Sequence, residues 1–144
     1  MGKVVHLLQT KGDSALSVEP SRSVQEALET MFEQAVGSLL VCDRGTLLGL
    51  LTERHVAHAV AERGPSCLSG VVRDVMDVQA VYVSPESDIE ECMTLMTECR
   101  TRHLPVLDDD DQVVGIVSIG DVVKALIDDK EFEIDQLQRY ITGR

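Results

Sequence analysis

The chain has 144 residues, 44% of them apolar, with a formal net charge of −12. That length allows one compact domain or two small fused units. The acidic balance argues against nucleic acid or an anionic membrane surface as partner, since both need a basic face. Aromatic residues are limited to Phe32, Tyr82, Phe132 and Tyr140, which removes the stacking platforms that single-strand binders use.

The first residues show no signal-peptide core, and no apolar run approaches the roughly 20 residues that cross a bilayer. A cytoplasmic location is therefore expected. Residues 15–18 predict a short strand closed by Pro20. Ser23-x-x-Glu26 has the spacing of a capping box. Val24, Ala27, Leu28 and Met31 then recur at helical spacing, predicting a helix with one buried face. Apolar runs at 38–42 and 47–51, joined by an Asp/Gly turn, predict a hairpin, and 53–62 a second helix. Gly64-Pro65 through Gly70 predicts a linker.

The same order then returns. A strand is predicted over 80–83 and a helix started by Ser87-x-x-Glu90, with Ile89, Cys92, Met93 and Met96 on its inner face. A hairpin follows over 103–107 and 113–117, then a helix over 120–127. Residues 131–143 predict one further amphipathic helix with Ile134, Leu137 and Ile141 as its stripe and Asp135/Arg139 as an i,i+4 pair. It would cover an edge of the module or a partner subunit.

Shifted by 65 residues, 15–31 falls on 80–96 and 38–43 on 103–108; with one residue more, 49–61 falls on 115–127. Val18/Val83, Pro20/Pro85, Met31/Met96, Asp43/Asp108 and Gly49/Gly115 are identical pairs. A fixed offset held across several elements is an internal repeat. The expected fold is therefore mixed α/β: two β-α-β-β-α repeats packed by pseudo-two-fold symmetry, plus a C-terminal helix. The expected divisions are 1–63, a linker at 64–70, 71–129, and a terminal helix at 130–144.

None of the four cysteines, at 42, 67, 92 and 99, forms C-x-x-C or has zinc-ligand spacing. Cys42 and Cys92 lie in apolar patterns and read as small buried hydrophobes. His55 and His58 share a helix face without a third metal ligand. Asp108–Asp111 lacks the spacing of a calcium loop and reads as a solvated turn. No phosphate-binding glycine loop, dinucleotide fingerprint, nucleophile elbow or zinc-protease motif occurs, and no catalytic residue is expected.

The stretch GIVSIGD (115–121) carries the most chemistry. If a helix starts near Ser118, its first backbone N–H groups form a natural seat for a phosphate. The Ser118 hydroxyl would add a bond, Gly120 would permit close approach, and Asp121 offers acceptors suited to a ribose diol. Ser-x-x-Asp is equally the spacing of a plain helix cap, and the two roles are compatible. Arg102 and His103 supply local positive charge in an acidic chain.

The tandem repeat, RHLPV before one strand and GIVSIGD after the next, resembles the CBS (cystathionine-β-synthase) domain pair, or Bateman module, and especially its stand-alone members. The resemblance implies a regulatory module that binds adenine nucleotides such as AMP, ADP, ATP, NAD or S-adenosylmethionine, reports to a separate protein and pairs as a homodimer. It implies a nucleotide set of Ser118, Ile119, Gly120, Asp121, Arg102, His103, Pro105, Ala80 and Tyr82. In the first repeat, GLLTERH (49–55) keeps Thr52 but sets His55 where Asp121 stands, with Gly37 and Ser38 for Arg102 and His103. A weaker first site of Thr52, Arg54, His55 and Ser38 is expected. The alternative function is a ligand-independent dimerisation module.

Overall fold

The computed structural model describes residues 2–11, 16–78 and 81–143. Its elements in chain order are α1 (Val4–Lys11), β1 (Ser17–Val18), α2 (Val24–Gln34), β2 (Ser38–Asp43), β3 (Thr46–Thr52), α3 (Glu53–Arg63), 3-10 turns at Pro65–Ser69 and Val72–Asp74, α4 (Ile89–Glu98), β4 (His103–Leu107), β5 (Val113–Ser118) and α5 (Ile119–Thr142). The mixed α/β fold and its doubled order agree with the repeat seen in the sequence.

The two copies share their turns as well as their elements. Both helices preceding the hairpins end on a left-handed residue, Ala35 (φ 55) and Arg100 (φ 52). The following amides then close the helix, Val36 N–H donating to Met31 O (3.0 Å) and Thr101 N–H to Met96 O (3.1 Å). The β2–β3 and β4–β5 hairpins are antiparallel and carry the same irregularity, after Val41 and after Val106. Burial falls where the periodicity puts it: Val24, Ala27 and Met31 in α2; Ile89, Cys92 and Met96 in α4.

Packing crosses the divisions of the sequence. Val72, from beyond the linker, is buried in the first repeat's core beside Val24, Met31 and Leu39, with Val75 and Met76 against it. In return Val4, Leu7 and Leu8 of α1 pack in the second repeat's core with Leu104, Val106 and Val117. The exchanged segments also satisfy helix starts: Val24 N–H donates to Gly70 O (3.0 Å), and Ile89 N–H to Gly2 O (3.1 Å). This exchange explains the Gly49/Gly115 identity. A Cβ on Gly49 would overlap the Asp77 carbonyl, and one on Gly115 would lie 2.6 Å from Leu8 Cδ2.

Some local expectations change. The helices predicted over 120–127 and 131–143 are one 24-residue α5, because nothing between them stops a helix: Asp128-Asp129-Lys130 contains neither Gly nor Pro. α4 is capped by Asp88 rather than Ser87, and without a side-chain cap bond. The Ser87 hydroxyl instead accepts the Ser84 N–H (3.1 Å), and the Asp88 carboxylate pairs with Lys3 Nζ (2.7 Å). Of the strand expected over 80–83, the described part makes a single parallel bridge, Val83 to Val106; Ala15 and Ala80 lie outside the described residues. The helix α1 has no clear start signal in the sequence and is not foreseen by it.

Candidate functional site

Each hairpin feeds directly into a helix, and the two helix starts are built alike. Ser118 caps α5: its N–H donates to Asp121 Oδ2 (2.8 Å), and its Oγ accepts the Asp121 N–H (3.3 Å). Thr52 caps α3 in the same reciprocal way, its N–H donating to His55 Nδ1 (3.1 Å) and its Oγ1 accepting the His55 N–H (3.2 Å). The imidazole in copy one thus does the backbone work of the carboxylate in copy two. The first amide of each helix is also taken, Ile119 N–H by Arg102 O (2.8 Å) and Glu53 N–H by Gly37 O (3.1 Å). The expected fan of open amides reduces to Gly120 N–H on α5 and Arg54 N–H on α3. Gly120 is exposed, and only Ser118 Oγ stands near the place of an added Cβ (3.7 Å).

The residues expected to act with Ser118 do not all meet it. Each helix start faces the α-to-β turn of the other repeat. Ser118 and Ile116 line a pocket of about 270 Å³ completed by Leu16, Ala35, Val36, Gly37, Ser38 and His103. Arg102 stands instead in a larger cleft of about 790 Å³. That cleft joins Thr52, Glu53, Arg54, His55 and His58 to Cys99, Arg100, Thr101, Arg102 and His103, with Gly37 and Asp77 at its margin. His103 borders both spaces. Ser38, expected with Thr52, lines the Ser118 pocket.

Asp121 caps Ser118 and borders a groove shared with Gly2, His6, Leu7 and Phe132. Ile119 is exposed at the start of α5. Tyr82 is exposed and lines neither space. Pro105 is buried in β4, where its carbonyl accepts the Val83 N–H (2.9 Å). The sequence missed Leu16, Val36 and Asp77 as lining residues; the 65-residue offset, which maps the turn at 35–38 onto 100–103, is the signal that could have found Val36.

Burial holds the His55 imidazole below its ordinary pKa, partly opposed by the Asp77 carboxylate. His55 is accordingly neutral at pH 7, as a ring accepting an amide proton at Nδ1 must be. Burial raises the thiols of Cys42 and Cys92, the latter to about 11, so neither is poised for nucleophilic chemistry. Asp108 Oδ1 accepts the Asp110 and Gln112 N–H groups (both 2.9 Å), which makes the acidic run a closed hairpin turn. No cluster of three metal-ligating side chains occurs among the described residues.

With this geometry in place, comparison with known proteins assigns the class. A family model described as "CBS domain" matches residues 12–62 and again 72–128. The chain belongs to the CBS-domain family, as a tandem pair. It is 35% identical over 146 residues to the mitochondrial CBS domain-containing protein CBSX3 of Arabidopsis thaliana, covering 95% of this chain and 70% of that one. Among solved structures, the CBS-domain protein ATU1752 from Agrobacterium tumefaciens aligns with a TM-score of 0.82 at 38% identity, over 85% of this chain and 98% of that one. CBSX2, solved in complex with AMP, aligns with a TM-score of 0.74 at 28% identity, over 90% and 99%. No helix among the described residues is long and apolar enough to cross a membrane.

Proposed function

We propose that the chain is a non-catalytic regulatory module that takes an adenine nucleotide or adenosine derivative (AMP, ADP, ATP, NAD or S-adenosylmethionine) at the start of α5. One observation carries this: a small pocket walled by Leu16, Val36 and Ile116 opens beside the Ser118 hydroxyl, with the Asp121 carboxylate one helical turn on. The apolar walls suit a base. The carboxylate suits the adjacent hydroxyls of a ribose, and the Gly120 N–H with the Ser118 hydroxyl suits a phosphate. His103 adds a polar edge, while Arg102 and the Thr52–Arg54–His55 group serve the larger cleft. Tyr82 and Pro105 take no part. The AMP complex of the 28% identical CBSX2 supports the ligand class. Four free thiols support residence in a reducing compartment such as the cytoplasm.

Binding lets the module regulate only if the ligand prefers one arrangement of the repeats over another. The pocket draws its walls from both repeats, so filling it acts on their relative position. A thermal-shift panel with these ligands tests the assignment. Ligand at a hundred times its Kd should add about 2.7 kcal/mol of stability. Asp121→Ala should abolish the shift while its unliganded melting stays cooperative; an undiminished shift would refute the ribose role.

A second function is favoured by α5, whose distal half exposes Phe132, Ile134, Leu137, Tyr140 and Ile141. Such a surface suits association, with homodimer formation the simplest case. A dimer in light scattering that Leu137→Glu disrupts, with no ligand response, would favour this function over the first.

A further inference from the structure

The last turns of α5 lie outside the domain that the family model describes. That model ends at residue 128, yet α5 runs on to Thr142 as unbroken helix. From Lys130 to Gly143 every residue is exposed. A helix of about a dozen residues with no tertiary cover is marginal in water. This stretch nevertheless carries Phe132, Ile134, Leu137, Tyr140 and Ile141, with Leu137 61% and Ile141 79% exposed.

The exposed apolar residues are ordered. Ile127, Ile134 and Ile141 recur every seven residues. Val123 and Leu137 hold the intervening places, with Lys130 between them in the same series. This is the alternation of a coiled-coil seam, with Ile at a, Val and Leu at d, and one polar residue at a d place. The other side of the helix, with Asp121, Lys124, Ala125 and Asp128, lines the groove against α1. The seam therefore points away from the body and matches a second helix of its own kind.

Charge selects the orientation. In a parallel pair Lys130 would meet Lys130 inside the apolar seam. In an antiparallel pair one register uses the whole stripe: Val123 meets Ile141 of the second copy, Ile127 meets Leu137, and Lys130 meets Ile134. Lys130 then lies beside Glu133 of the second copy, the same type of partner it takes within its own helix (3.4 Å). The helix dipoles also oppose each other in that arrangement.

We infer that α5 is a self-pairing helix that joins two copies of this chain antiparallel, with Val123, Ile127, Ile134, Leu137 and Ile141 as the seam and Lys130 beside Glu133 of the other copy at its centre. This pairing rests on the association role given to α5 above, to which it adds orientation and register.

The test is photocrosslinking of the full chain with p-benzoylphenylalanine in place of Ile127. Peptides joined in the covalent dimer are then located by mass spectrometry. The bond should fall within residues 134–141 of the second copy. A bond to residues 123–130 would mean parallel pairing, and would overturn the inference while leaving the association role intact. In light scattering, Leu137→Glu should weaken the dimer by about tenfold or more. Its melting should stay cooperative, because the site is exposed in the single chain. A dimer untouched by Leu137→Glu would place the interface elsewhere and overturn the inference. A chain that stays monomeric at high micromolar concentration would overturn both the pairing and the association role.

Discussion

The two repeats place equivalent helix starts against equivalent turns, yet the spaces they leave differ in size and in charge. The start of α5 meets Ala35–Ser38 and forms a small pocket in which Leu16, Val36 and Ile116 face Ser38, His103 and Ser118. The start of α3 meets Cys99–His103 and forms a cleft three times larger with three arginines. The difference comes from a few side chains on a shared backbone. Gly37 and Ser38 stand where Arg102 and His103 stand in the other copy, Ala35 where Arg100 stands, and His55 where Asp121 stands. The doubled order supplies the frame, and differences at the turns and at the third helix position give each space its own lining.

If the repeats are equivalent as frames, matched core deletions should cost alike. Leu39 and Leu104, 65 residues apart, are both fully buried. Leu39→Ala and Leu104→Ala should each lower stability by about 2–5 kcal/mol, measured by urea unfolding. A difference beyond about 2 kcal/mol would mean that the two cores do not share the load.

A smaller asymmetry is expected at the matched glycines. A methyl on Gly49 meets the backbone carbonyl of Asp77, which cannot move aside alone, whereas one on Gly115 meets the end of the Leu8 side chain. Gly49→Ala should therefore cost about 1–3 kcal/mol and Gly115→Ala distinctly less. Equal melting temperatures for the two variants would contradict the exchanged packing of residues 71–77 and α1.

The smallest effect is one of pH. The cap of α3 needs a neutral His55, and burial lowers that pKa in the folded chain. The unfolded chain then binds more protons below the ordinary histidine value of about 6.5. The cap's contribution is complete above about 6.5 and is lost as pH falls through the lower folded value. His55→Asp, whose carboxylate ordinarily titrates near 4, should flatten the fall of stability that sets in below about 6.5. An unchanged slope would mean that other groups set it.

Much of this is legible in the sequence, because repeats, alternation and capping spacings are local patterns. Ser118 and Asp121 read correctly as a cap pair, and the hairpins emerge to within a residue of their strand ends. The crossing does not, since spacing along a chain says nothing about which repeat's turn faces which helix start. Grouping Arg102 with Ser118 follows sequence proximity; Arg102 lines the cleft that holds Thr52, and its carbonyl alone meets the α5 start. The Gly49/Gly115 identity is visible, but its cause appears only when Asp77 and Leu8 stand against those glycines. α1 escapes notice because it is short, has no Ser, Thr, Asn or Asp before its first turn, and packs on a core begun 80 residues later.

The most direct test of the central claim is a crystal structure grown with saturating AMP. The base should lie against Leu16, Val36 and Ile116, with the ribose hydroxyls on the Asp121 carboxylate and the phosphate near Ser118 and Gly120. AMP bound only in the arginine-lined cleft, or an Asp121 carboxylate that caps its helix and touches no ligand, would contradict the account.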